Sequence, residues 1–408
     1  MLNSPATSSA KIDSASSTSP MRAGLPAWTY RSAELLDLEY REIILKSWQI
    51  ACHVSDLPNP RSYFTLELMR DSLLIVRDDE GELRAFKNVC RHRASRLLDG
   101  QGDCPRRLIC PYHGWAYKLN GELAAVPAEG TFPGLEKDKH GLMPVELEVF
   151  HGFIFLRVEG GGPSVAELWG DIGAQLDAYD IPGMVRLDES WEGVWDVNWK
   201  VAIDNNMENY HIPIGHPGYH RMLENDLDGF GNERGVSGSV SRLKEKEGNN
   251  WSWSERAYRA LALETLADRP KELARRWTFY SMLPNLGVDV YPDCLDFFQI
   301  LPLGAKRAKI RTMIYGHPDK RREMRLLRYL NGRINGKVAQ EDFELCHRVQ
   351  QGLETQGYEL GPLSSYETGV REFHDLVRER VPAAQLAQEP FPGELARLNA
   401  AMLAERDA

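Results

Sequence analysis

Cys90-Arg91-His92 and Cys110-Pro111-Tyr112-His113 read C-x-H, seventeen intervening residues, then C-x-x-H. Each half offers one thiolate and one imidazole. Two cysteines on one iron and two histidines on the other form the ligand set of a mixed [2Fe-2S] cluster. Neutral imidazole in place of thiolate lifts its potential above that of an all-cysteine cluster. A Cys2His2 zinc site uses the same four donors, but it usually separates paired ligands by two or more residues, so C-x-H is tight for one metal. The quartet therefore predicts a [2Fe-2S] centre held on two loops, with zinc as the alternative.

A second set of ligands lies further along the chain. Asp204-Asn205-Asn206-Met207-Glu208-Asn209-Tyr210-His211 runs into Ile212-Pro213-Ile214-Gly215-His216-Pro217. Read as a helix from Trp199 to Tyr210, this stretch puts Asp204, Glu208 and His211 on one face. Pro213, Gly215 and Pro217 end the helix and open a loop. A turn then lets His211 and His216 converge; two unrelated surface histidines at a helix end are the alternative. A 2-His-1-carboxylate set is the signature of non-heme Fe(II) oxygenases. The carboxylate is sought in Val338–Leu353, an amphipathic helix with the stripe Val338, Leu345, Cys346, Val349 and Leu353. Asp342 lies at the centre of that stripe, where a carboxylate must be paired, hydrogen-bonded or metal-bound. An ion pair to a buried arginine is its alternative. Glu341 and Glu344 point away from the stripe and read as solvated.

With these motifs, and with the flanks Arg93-Ala94-Ser95-Arg96-Leu97-Leu98 and Gly114-Trp115, the chain resembles the large (α, catalytic) subunit of Rieske non-heme iron aromatic-ring-hydroxylating oxygenases. The likeness points toward the dealkylase and monooxygenase subgroup and covers nearly everything after about residue 30. The resemblance implies a Rieske cluster on Cys90, His92, Cys110 and His113, and a mononuclear Fe(II) on His211, His216 and Asp342. It gives Glu208 the role of an acid bridging the iron-bound histidine to a cluster histidine of the next subunit. Most relatives carry Asp there; Glu keeps the charge and adds a methylene. It also implies a helix-grip catalytic domain, a curved antiparallel sheet around a long helix. The same resemblance implies a homotrimer or a multiple of it, and electrons delivered from NAD(P)H through a ferredoxin or flavin reductase. The expected reaction is monooxygenation of an organic substrate, with oxidative N- or O-dealkylation of an aromatic or amine compound as the leading case. Ring dihydroxylation to cis-diols is the alternative. An electron-transfer or metal-binding protein without oxygen chemistry is the alternative from another class, and it has no need of the second ligand set.

The strand-rich stretch from Trp48 to about Val158 and the mixed helices and strands after it read as an α+β enzyme, and composition agrees with a globular one. The 408 residues are enough for two cores, and 42% apolar with 9% aromatic residues is ordinary for a globular chain. The boundaries read as a disordered tail (1–25), a helical lead-in (26–47), an antiparallel β Rieske domain (48–160) and the catalytic domain (161–408). No apolar run approaches the ~18 residues of a membrane span. The Ser/Ala/Thr-rich stretch Asn3–Ser19 lacks the apolar core of a secretory signal, so a cytoplasmic protein is expected. Cys52, Cys104, Cys294 and Cys346 show no pairing pattern and read as free thiols. A net charge of −10 argues against nucleic acid. Locally the sign reverses. Arg84, Lys87, Arg91, Arg93, Arg96, Arg106, Arg107 and Lys118 face only Asp99 and Asp103 around the cluster loops. This reads as a docking face for an acidic electron donor, or as part of a subunit interface. Met207, Ile214, Leu286, Val288 and Phe297 are the candidate lining of the substrate pocket.

Overall fold

The computed structural model describes residues 24–225, 229–267 and 270–407. The expected tail falls outside them up to residue 23. The segment 24–30 is buried throughout. Ser32 caps the helix Ala33–Glu39, its hydroxyl accepting from the Leu35 N–H. This lead-in packs into the heart of the molecule. Glu39 pairs with Lys200 at 2.7 Å, both side chains being fully buried, and the Trp199 indole donates to the same carboxylate. A buried charge survives only when paired and hydrogen-bonded, so this contact ties the lead-in to the helix that carries the second motif.

Residues 49–157 form three small antiparallel sheets. The strands Ser62–Leu68 and Asp71–Arg77 are the centre of a four-stranded sheet. Arg107–Ile109, Ala116–Lys118 and Leu123–Ala125 make a three-stranded one. Their apolar faces enclose one core, which contains Leu74, Val76, Leu108, Trp115 and Tyr117 together with Cys90 and Cys110.

The rest of the chain is built on a nine-stranded antiparallel sheet. Its central strands are Arg276–Met282, Leu286–Val290, Leu295–Gly304 and Arg307–Gly316. The last two make a hairpin, with its turn at residues 305–306. Alternation along these strands divides the sheet into two faces. Leu286, Val288, Phe297 and Tyr315 pack with Phe153, Phe155 and Trp169 on the back. The fully buried Arg311 reinforces that side by donating to the carbonyls of Ile50 and Ala51 and to Gln299. Asp289, Asp296, Phe298, Ile300, Ile310 and Thr312 face the front.

Across the front lies the 32-residue helix Arg322–Leu353, twice the length expected from its periodicity. Met324, Leu327, Leu330 and Ile334 bury its first half, and Cys346 and Leu353 its second. Val349, assigned to the buried stripe, is 52% exposed. The helix Trp199–Asn206 starts from Asn198, whose side chain accepts from the Lys200 N–H. It stops four residues before the expected Tyr210. Beyond it the Glu208 carboxylate takes the N–H groups of Tyr210 and His211, a local side-chain bond that competes with helical continuation. Two short helices come next, Ile212–Gly215 and Pro217–Met222, where a loop was expected. Proline is tolerated in a helical first turn because it lacks only an N–H that would be unpaired there.

Candidate active site

The two cluster loops share one backbone pattern. The Cys90 N–H donates to Ser95 O and the Ala94 N–H to Cys90 O, at 2.8 and 3.1 Å. The Cys110 N–H donates to Trp115 O and the Gly114 N–H to Cys110 O, at 2.8 and 3.0 Å. Each turn needs a left-handed residue at its fourth step, filled by Gly114 (φ 72°) in one loop and by Ala94 (φ 58°) in the other. The His92 and His113 rings lie 4.7 Å apart, and His92 stacks on Trp115 at 4.9 Å. Tyr117 holds the first loop from below, its hydroxyl 3.2 Å from Cys90 Sγ and accepting from the Arg91 N–H. Burial opposes ionisation of both thiols and raises the Cys90 pKa. At Cys110 it is outweighed by N–H groups of Tyr112 and His113 that favour the thiolate. The Nδ1 atoms of both histidines are buried without a partner. Two buried thiols beside two orphaned imidazole nitrogens fit a bound [2Fe-2S] cluster.

The second set converges as closely. His211 Nε2 is 3.0 Å from His216 Nε2. Asp342 Oδ1 lies 2.9 Å from His216 Nε2 and 3.6 Å from His211 Nε2. Among the described residues this trio alone brings three or more metal-ligating groups together, within 4.8 Å of one another. Asp342 Oδ1 is buried with no hydrogen-bond partner, which fits a cation between the three. Each histidine is oriented from behind by a carboxylate. Glu208 Oε1 is 2.5 Å from His211 Nδ1, and Glu341 Oε2 is 2.9 Å from His216 Nδ1. Such partners fix the tautomer and turn Nε2 toward the metal. Burial works to lower the His216 pKa, but Asp342 and Glu341 outweigh it and raise it.

Glu341 is thus no solvated residue. Helical spacing puts it beside Asp342 and within 3.6 Å of Lys337, but only the three-dimensional approach of the Ile212–Gly215 turn brings it to His216. Asp204, predicted to share a face with Glu208, points elsewhere. It accepts from Tyr30 at 2.6 Å and lies 2.9 Å from His374 Nε2. The helix ends between Asp204 and Glu208, so their 3.6-residue phase relation is broken.

A cavity of about 710 Å³ lies between the long helix and the front of the sheet. It adjoins a smaller one of about 140 Å³ that contains Glu208, His211 and His216; Asp289, Tyr291, Phe298 and Asp342 border both. Trp191 and Tyr329, 37% and 53% exposed, stand at the mouth. The five residues expected to line it do not. Leu286, Val288 and Phe297 point to the back of the sheet. Ile214 is 89% exposed, and Met207 packs against the core behind the ligand helix. The strands Leu286–Val290 and Leu295–Gly304 do border the cavity, but through residues of the opposite parity, since a one-residue change of phase exchanges the two faces. Phe298, the neighbour of Phe297, lies over Gly287, where any Cβ would overlap its ring.

Around the cluster loops the basic excess is partly neutralised. Arg84 pairs with Asp78, Arg96 with Glu67 and Asp99, and Lys118 with Glu122. Arg93 lies over the Tyr112 ring. Arg91, Arg106 and Arg107 are exposed and have no ion pair among the described residues.

Two family models match this chain: Rieske [2Fe-2S] domain over residues 47–141, and ring hydroxylating alpha subunit (catalytic domain) over 183–383. The chain belongs to the Rieske oxygenase α subunits. It is an oxidoreductase that uses a Rieske cluster and a mononuclear iron and depends on electron-transfer partners. Choline monooxygenase of Atriplex hortensis, a chloroplastic protein, is 29% identical over 364 residues, 86% of this chain and 76% of that one. The carnitine monooxygenase oxygenase subunit of Escherichia coli (strain K12) is 34% identical over 203 residues, 50% of this chain and 54% of its own. Both of these relatives of this Rieske α subunit are, by name, monooxygenases. The quaternary ammonium Rieske monooxygenase CntA, solved with L-carnitine, superimposes with a TM-score of 0.73 at 23% identity, covering 88% of this chain and 96% of that one. No helix among the described residues is long and apolar enough to cross a membrane.

Proposed function

We propose that this α subunit monooxygenates an alkylated nitrogen compound, with oxidative N-dealkylation as the leading reaction. One oxygen atom of O2 enters a C–H bond beside nitrogen and the other leaves as water, with two electrons drawn from NAD(P)H through a reductase or ferredoxin. The observation that carries this reading is the acid- and aromatic-lined cavity that borders the His211, His216 and Asp342 trio. The monooxygenase relatives that act, by their names, on choline and carnitine support it.

Cys90, His92, Cys110 and His113 would hold the cluster, and His211, His216 and Asp342 the iron. When bound, these groups supply single electrons and O2 activation. The protein residues position and exclude. Glu208 and Glu341 hold the two imidazoles with Nε2 forward. Trp191 and Tyr329 narrow the mouth, and Phe298 forms the wall between the two spaces. Glu208, whose side chain is 10% exposed, remains the candidate bridge to a neighbouring subunit. A homotrimer accounts for the exposed apolar groups at both ends of such a contact: Ile109 and Tyr112 by the cluster, and Tyr210, Ile214 and Tyr366 by the iron histidines. The arginines at 91, 106 and 107 suit an acidic donor. A cytoplasmic setting, where such donors and reduced thiols reside, completes the reading.

The test supplies a reductase, NAD(P)H and 18O2 with a panel of methylated amines, ammonium compounds and aromatic ethers. Loss of an alkyl fragment as an aldehyde carrying one labelled oxygen supports the proposal. A cis-diol carrying two labelled oxygens replaces it with ring dihydroxylation, the reading that the alternative predicts.

A further inference from the structure

Asp289 and Asp296 face each other across neighbouring strands, as direct register partners. Both open into the large cavity, and Asp296 is only 7% exposed. Directly opposed residues of an antiparallel pair stand roughly 5 Å apart, so two carboxylates share a small volume. Among the described residues neither has an ion-pair partner. Their polar neighbour is Tyr291, whose hydroxyl donates to Asp289 at 3.2 Å and also lowers the Asp296 pKa.

Two anions without a counterion, one buried and one half-buried, are unstable as such. Burial raises the pKa of both, and like charges at this range cannot both ionise near neutral pH. The pair therefore holds one proton between two carboxyls and presents a single negative charge to the cavity. The other charged groups lining that space do not offset it. Glu189 and Asp342 are acids, and the one base, Arg333, lies over the Trp253 ring at 5.3 Å. Phe298 and Tyr291 line the same space, and aromatic rings attract cations to their faces.

We propose that Asp289 and Asp296 together are the charge-selecting element of the substrate site, anchoring one cationic nitrogen beside the iron trio. The inference rests on the reading of the cavity as the substrate site and deepens it by naming the charge that the substrate carries. The pair acts in binding and takes no part in oxygen chemistry.

The test is calorimetric binding to the holoenzyme, independent of turnover. The probes are choline and benzyltrimethylammonium, each against its carbon isostere, 3,3-dimethyl-1-butanol and neopentylbenzene. The cationic member of at least one pair should bind about ten- to a hundredfold tighter, as for a desolvated charge meeting a paired carboxylate. The double variant D289N/D296N should lose that preference while keeping the affinity for the neutral member and the visible spectrum of the cluster. D289N and D296N singly should each retain part of it, since one carboxylate remains. Equal binding of cation and isostere, no binding of any cation, or an undiminished preference in a folded double variant would overturn the proposal. A charge preference lost in the double variant supports it even where no compound turns over; that last result counts against the proposed reaction instead.

Discussion

Replacing Asp289 by asparagine removes one of two carboxyls that the fold holds against their preference for water. The Asp289 pKa stands at about 7 instead of 3.8, with burial as the main cause. Such a carboxyl stabilises the fold fully at pH values below its unfolded pKa, and that contribution is lost as pH rises through about 7. The pH interval from 3.8 to about 7 corresponds to roughly 4 kcal/mol at about 1.4 kcal/mol per pH unit. The groups sharing its field are Asp296, Tyr291, Tyr219 and Asp342. With Asp289 neutral, the charge of Asp296 is opposed by one neighbour fewer. The ligand-free wild type should therefore lose stability between pH 5 and 8 relative to Asp289→Asn, by an amount on the order of 2–4 kcal/mol. Thermal melts of both proteins at pH 5 and pH 8 measure it. The variant should melt below or level with the wild type at pH 5 and above it at pH 8, by about 2–5 °C. A difference between the two proteins that does not change with pH would refute the shared-proton account.

Other consequences concern the residues behind the ligands. Glu341→Gln should weaken iron retention by roughly ten- to a hundredfold, measured by chelator competition, with the cluster spectrum unchanged. Glu208→Gln should keep both metals yet turn over far more slowly; near-normal turnover in a fully metallated variant would remove it from the electron path. Charge reversal at Arg106 and Arg107 should slow reduction by the protein donor, and more so at low salt, without slowing reduction by dithionite. Equal slowing of both would assign these arginines to holding the loops.

The candidate ligands were legible as two convergent sets because metal chemistry constrains residue type and spacing more tightly than packing does. C-x-H and C-x-x-H name four donors, and Glu208, His211 and His216 lie within nine residues. Asp342 was found from amphipathicity, since a carboxylate on a buried stripe needs a reason. The pocket was not legible. Leu286, Val288 and Phe297 were chosen for being apolar, whereas the cavity side of the same strands carries Asp289, Asp296 and Phe298. Both faces of this sheet are covered, so hydrophobicity alone does not say which one meets the substrate. Glu341 was missed because its partner, His216, is 125 residues away. The split between Asp204 and Glu208 was missed because a side chain ended a helix that propensity would have continued.

Metal content, read together with the electron paramagnetic resonance of the reduced protein, tests the central claim most directly. Wild-type protein should hold about three irons and two inorganic sulfides per chain and give a Rieske-type signal. Asp342→Ala should lose one iron and all turnover with that signal intact, and His113→Ala should lose the signal. A colourless, zinc-loaded wild type, or an Asp342→Ala protein that keeps its full iron and its turnover, would contradict the account.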